Sequence, residues 1–160
     1  MPERRTPLNG LLVPDDWIPR LSSAIVAALR EFAPSVGADS LVMLALDCHP
    51  WHGRIGISAL TSTEVAADET LSDPPEMAAW RFFDFARDFK SWELTTDLVQ
   101  LMRSAYYSDS DSRPAVTEAF FVACAAAIRS ASVAEALGPF NLAEGFRLSV
   151  AHPDNGHEYV

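Results

Sequence analysis

Cysteine is scarce: Cys48 and Cys124 are the only two in 160 residues. Two thiols build neither a disulfide framework nor a tetrahedral cysteine metal site, so a reducing compartment is the simplest reading. Cations are few as well, 12 against 22 acids, for a formal net charge of −10. That balance argues against gripping nucleic-acid phosphates or an anionic membrane, since both need clustered lysine and arginine. It suits high solubility, or steering toward a basic partner. The seven glycines are scattered, and no Gly-Lys-Ser/Thr phosphate loop occurs. Neither Gly-x-Ser-x-Gly nor His-Glu-x-x-His is present. No apolar run approaches the roughly 20 residues of a membrane span. Arg4 and Arg5 precede an apolar stretch, Leu11 to Val13, that stops at Pro14-Asp15-Asp16. It is too short for a signal-peptide core, so a cytoplasmic location is expected.

What remains is the composition of a folding chain, 49% hydrophobic with four Trp and nine Phe. An N-terminal arm over 1–14, with three prolines and no periodicity, precedes a single α+β domain over 15–160. Ile18, Leu21, Ile25, Ala28, Leu29 and Phe32 keep the spacing of one helical face, started by Asp15-Asp16 and ended by Pro34 and Gly37. The run 41–46 is continuously apolar, as in a strand buried on both faces. Residues 54–61 alternate, so the two strands form a hairpin with Asp47–Gly53 as its tip. Polar, acidic residues fill 62–79, and Trp80–Phe85 reads as a third strand on its aromatic content. Helical period returns over 92–106 and again after Pro114. Ser132-Val-Ala-Glu135 has capping-box spacing for a further short helix. Phe146, Leu148 and Val150 alternate in a last strand. The expected architecture is a small, mostly antiparallel sheet of three to four strands. An N-terminal helix and two or three C-terminal helices pack on it.

Two segments could carry function. The hairpin tip places Asp47, Cys48, His49, Trp51 and His52 in six positions. Carboxylate, thiol and imidazole are the groups that bind metals or move protons near neutral pH. Asp47, His49 and His52, joined by His152 or His157, are the candidate metal ligands, and Cys48 beside a histidine is a candidate nucleophile. The competing reading folds Trp51 over the core and leaves the histidines to solvent, or exposes Trp51 as an interface anchor. The second segment, 64–97, holds nine acids (Glu64, Asp68, Glu69, Asp73, Glu76, Asp84, Asp88, Glu93 and Asp97) against Arg81, Arg87 and Lys90, a local charge of −6. Trp80, Phe82, Phe83, Phe85, Phe89 and Trp92 interleave it. Acid sets association rate and aromatics supply buried area, which together fit a basic protein surface. The same aromatics would equally build core, with the charges as its solvated rim.

A leading helix, a hairpin reading Leu-Ala-Leu-Asp-Cys-His-Pro-Trp-His-Gly with Ile-Gly-Ile-Ser after it, an acidic middle with Trp-Arg-Phe-Phe-Asp-Phe and a closing helix–strand pair resemble small bacterial domains of unknown function. Some of these are immunity proteins of polymorphic toxin systems. The likeness implies a cytoplasmic, non-enzymatic role against a toxin, whose nuclease members are often basic where they grip nucleic acid. It transfers no functional residue. Three functions follow: a binding module for a basic protein, using Glu64, Asp68, Glu69, Asp73, Glu76, Trp80, Asp84, Asp88 and Trp51; a small metal-dependent hydrolase or other enzyme centred on the tip; or an adaptor subunit whose apolar helix faces bury in an oligomer. No cofactor is indicated.

Overall fold

The structure, a computed structural model, describes residues 13–160. All but the last two residues of the expected arm therefore lie outside the described residues. Helix α1 (Trp17–Val36) buries Trp17, Leu21, Ala24, Ile25, Ala28, Leu29, Phe32 and Val36, one stripe at three-four spacing. Pro34 does not end it. It sits in the last turn, where its missing N–H removes one bond, and the helix stops at Gly37, whose φ of +59° is left-handed.

Strands β1 (Ser40–His49) and β2 (Arg54–Thr61) pair antiparallel, Leu46 opposite Ile57 and Cys48 opposite Ile55. The tip is a single 3₁₀ turn, Pro50–His52, closed by Gly53 at φ +60°. Pairing thus runs three residues past the apolar run, and Asp47 and Cys48 belong to the strand, not to the tip. Strand β3 (Asn141–Val150) lies on the other side of β1 and runs parallel to it, giving the order β2-β1-β3. Central position explains the unbroken apolar run of β1. A parallel partner is available because the intervening chain crosses over through helices before returning.

Strand alternation gives the sheet two unlike faces. Leu44, Leu46, Cys48, Ile55, Ile57 and Ala59 enter the main core with α1 and helix α4 (Arg113–Ile128). Met43, Ala45 and Leu60 face the other way into a small second core with Trp80, flanked by Val65, Leu71 and Met77. The stretch between β2 and helix α3 (Thr96–Ser108) covers that second face as far as Trp80, and its later aromatics pack on the main core. It opens with the short helix α2 (Ser62–Ala67), capped by a reciprocal Thr61/Glu64 box, followed by 3₁₀ turns at Glu69–Ser72 and Pro74–Ala79.

Trp80–Phe85 is not a third strand. One bridge, Ala59 to Phe82, and the Phe85 N–H to the Ile57 carbonyl at 3.0 Å are its backbone-to-backbone links to β2. Asp84 at φ +49° turns the chain and breaks any extended run. Its aromatics close the edge instead: Phe85 stacks on Phe32 at 3.8 Å and Phe82 meets the same ring edge-on at 5.0 Å. After α4, helix α5 (Ala131–Ala136) does start afresh, but Ser130 caps it, accepting from the Val133 N–H. No helix among the described residues is long and apolar enough to cross a membrane.

Candidate functional site

Alternation along β1 settles the chemistry open to the hairpin. Asp47 and His49 sit two apart, so they share a face. His49 Nε2 stands 2.8 Å from Asp47 Oδ1, with the side chains 19% and 10% exposed. Cys48 between them points to the opposite face, into the main core, where its Sγ lies 3.7 Å from Met102 Sδ. The neighbouring Cys124 thiol and burial push the Cys48 thiol well above its ordinary value. The pleat thus puts the Cys48 thiol and the His49 imidazole on opposite faces, and His52 is exposed on the turn while Cys48 is fully buried, so the structure brings Cys48 together with neither histidine.

The metal trio does not assemble either. Asp47 and His49 touch each other, and the His49 and His52 ring centres are 5.9 Å apart. Among the described residues no group of three His, Cys, Asp or Glu is placed to hold a metal ion. What the fold does gather is aromatic. Trp51 is half-buried, 5.6 Å from His49, 6.2 Å from Tyr106 and 5.9 Å from His152, ring centre to ring centre. Phe121 stacks beneath His152 at 5.0 Å and beneath Tyr159 at 5.1 Å, and His157 meets Tyr159 edge-on at 4.7 Å. Of the two C-terminal histidines, His152 joins the tip through its contact with Trp51, and His157 packs on Tyr159.

A groove of about 600 Å³ results, lined by Trp51, Tyr106, Arg113, Glu118, His152 and Tyr159. Its walls are well held. Arg113 lies over the Tyr106 ring at 5.2 Å, and Tyr107 donates its hydroxyl to the Trp51 carbonyl at 3.0 Å. Tyr159 donates to Glu118 Oε2 at 2.7 Å. Burial, then the bond to Glu118 and its charge, pushes the Tyr159 phenol up to about 12. Sequence spacing could not have shown Tyr106, Arg113, Glu118 or Tyr159, which come from α3, α4 and the tail.

The acidic segment separates into roles. Glu64 works internally, accepting from the Arg81 N–H at 2.6 Å and from Thr61. Asp84 is paired with Arg54 at 3.0 Å, and Asp97 lies 3.6 Å from Arg20. Trp80 is 3% exposed and donates Nε1–H to the Leu71 carbonyl at 2.7 Å, so it is core and offers no contact surface. Trp92 is also buried, its Nε1–H on the Ile55 carbonyl. Asp68, Glu69, Asp73, Glu76, Asp88 and Glu93 are exposed, and none has a cation within 4.0 Å among the described residues. The apolar face of α4 is used inside the chain: Ala119, Ala123, Cys124 and Ala127 are buried.

Against known proteins the chain stands apart: no family model, no curated protein and no solved structure gives a significant match.

Proposed function

We propose that the chain is a non-enzymatic binding module for a basic protein, engaged by an acidic arm, residues 62–80, that crosses the second face of the sheet. One observation carries this reading. Asp68, Glu69, Asp73 and Glu76 follow one another along two consecutive 3₁₀ turns, exposed and without a cation within 4.0 Å among the described residues. The arm's Leu71, Met77 and Trp80 face inward at the same time. Asp68 also caps the first turn, accepting from the Thr70 N–H and hydroxyl, whereas Glu69, Asp73 and Glu76 have no such side-chain bond among the described residues: the backbone is anchored and their carboxylates are left to solvent. Uncompensated charge of one sign on a fixed segment speeds encounter with a partner of opposite sign. Neutralisation of a toxin, the role that the resemblance implies, is the form of this function we favour. Glu64, Trp80 and Asp84 support the arm's shape instead of touching the partner.

Capture of partners from a host lysate on immobilised protein tests this, run near physiological salt and again at 1 M, where the screening length falls to about 3 Å. A basic protein retained at low salt, released at high salt and lost in the Glu69→Lys/Asp73→Lys/Glu76→Lys variant is the expected outcome. A partner indifferent to both salt and charge reversal would sink the reading.

A further inference from the structure

A groove of about 350 Å³ opens where the C-terminal end of α4, helix α5 and strand β3 meet. Ile128, Leu137, Leu142, Phe146 and Leu148 line it, and the Ser130 hydroxyl beside them is taken by the Val133 N–H. Leu142 is 45% exposed, so one wall of the groove also projects from the surface. Arg129 lines the same groove.

The strand that carries this wall is uncovered. β3 is an edge of the sheet, and Asn141, Leu142, Glu144, Gly145 and Arg147 are exposed. Outside its ladder with β1, its backbone takes one backbone bond among the described residues, from the Tyr159 N–H to the Val150 carbonyl at 2.8 Å. A bare edge is a template for another strand. Here, however, β3 advances five residues, Leu142 to Arg147, while β1 advances two, Leu41 to Met43. That bulge interrupts the edge, so a partner meets β3 through side chains instead of a further ladder.

Charge selects the partner. Residues 128–148 carry Arg129 and Arg147 against Glu135 and Glu144, no net charge in a chain of −10. Two copies of so acidic a chain repel each other, and this stretch adds nothing to that repulsion. Arg147 is paired inside the chain, 3.4 Å from Glu158. Arg129 and Glu144 are exposed, and neither has an opposite charge within 4.0 Å among the described residues. One patch therefore holds an apolar recess, a projecting leucine and one uncompensated charge of each sign. Those are the parts of a surface that complements itself across a two-fold axis. A foreign protein of one sign would gain at one of the two charges and lose at the other.

We propose that a second copy of the chain docks on this patch, Leu142 of each copy entering the other's groove and Arg129 of each facing the other's Glu144. The proposal is independent of the protein-binding reading. The acidic arm crosses the second face of the sheet, whereas the groove lies on the side of α4 and α5.

Sedimentation equilibrium of the full chain, from about 1 μM to about 1 mM, tests it by reading mass against concentration. One groove and one leucine per copy make a small contact, so the mass should pass from one chain to two toward the upper end of that range. Leu142→Asp should weaken the dimer by at least about tenfold, as the loss of a buried leucine does. Arg129→Glu and Glu144→Arg should each weaken it as well. The double variant Arg129→Glu/Glu144→Arg restores opposite signs across the axis and should bring the dimer back. All three substituted side chains are exposed, so the variants keep the core, and far-UV circular dichroism verifies their folding. The mass of one chain at every concentration, growth beyond two copies, a dimer indifferent to Leu142→Asp, or a double variant no tighter than either single one would each overturn the proposal.

Discussion

Replacing Trp80 by alanine removes the side chain that ties the acidic arm to the sheet, and the structure sets the size of the effect. Trp80 is 3% exposed and sits with Met43, Ala45 and Leu60 in the small second core. A buried tryptophan withdraws about 150–250 Å² from water, roughly 4–6 kcal/mol at about 25 cal/mol per Å². An extended-chain reference overstates this, and measured Trp→Ala losses in cores run about 3–5 kcal/mol. The Leu71 carbonyl also loses its donor, but Leu71 is only half-buried. Water can replace the indole there, so this adds about 1 kcal/mol at most. The expected destabilisation is about 4 kcal/mol, a large part of the roughly 5–15 kcal/mol that holds a domain folded. Urea unfolding of the wild type and Trp80→Ala measures it. Trp80→Phe, which keeps most of the area, should lose only about 1–2 kcal/mol. Hydrogen exchange locates the damage: residues 65–80 should lose protection before α1 does. If Trp80→Ala costs less than about 1 kcal/mol, or loosens α1 and the arm equally, the second core is not what holds the arm and the account given above fails.

Both thiols should resist a disulfide reagent in the native protein and react together on denaturation, since Cys48 and Cys124 are buried and the Cys48 thiol is pushed up; rapid native labelling of either would contradict the packing. The Tyr159 phenol is raised from 10.0 to about 12, so the folded state holds that proton more tightly than the unfolded chain. Its contribution to stability is therefore intact below pH 10 and lost as pH climbs toward about 12. Phenolate absorbance should show one of the three tyrosines titrating late, and Glu118→Gln should bring it back toward its ordinary value; three ordinary titrations would refute the contact. Gly53→Ala places a Cβ in a left-handed backbone and against Arg103, so a loss of at least about 1 kcal/mol is expected in urea unfolding. Zinc titration followed by elemental analysis should give no stoichiometric uptake that His49→Ala or His52→Ala abolishes, because Asp47 and His49 contact each other; a one-to-one, histidine-dependent ion would restore the metal reading.

Much of the scaffold could be read from residue order. Three-four spacing from Leu21 to Phe32 fixes a helix because a single stripe must be buried. The unbroken run 41–46 marks a strand covered on both faces, which β1 is at the centre of its sheet. Pro114 sits at the start of α4, where its missing N–H costs nothing. Trp80–Phe85 misled because aromatic content measures burial, not backbone conformation, and a left-handed Asp84 carries no signal that composition can show. The capping box of α2 was there to be read in Thr61-x-x-Glu64, at the start of a segment read only as polar and acidic.

The candidate sites divide along the same line. Charge is additive along a chain, so the acidity of 64–97 was legible without coordinates. Which acids are spent is not: Glu64 turns inward to the Arg81 N–H, Asp84 meets Arg54, Asp68 caps a 3₁₀ turn on the Thr70 N–H, and Glu69, Asp73 and Glu76 stay in solvent. The hairpin tip shows the limit most plainly. Its six positions hold acid, thiol and imidazole side by side in sequence, but the pleat turns Cys48 away from Asp47 and His49, while His152 and Tyr159 arrive from about a hundred residues on. The sequence by itself determined the fold class, the net charge and the absence of known catalytic motifs, because composition and local period act over a few residues. Only the tertiary structure decided which side chains meet, because contact depends on which face of a strand or helix each residue occupies and on which distant element covers that face.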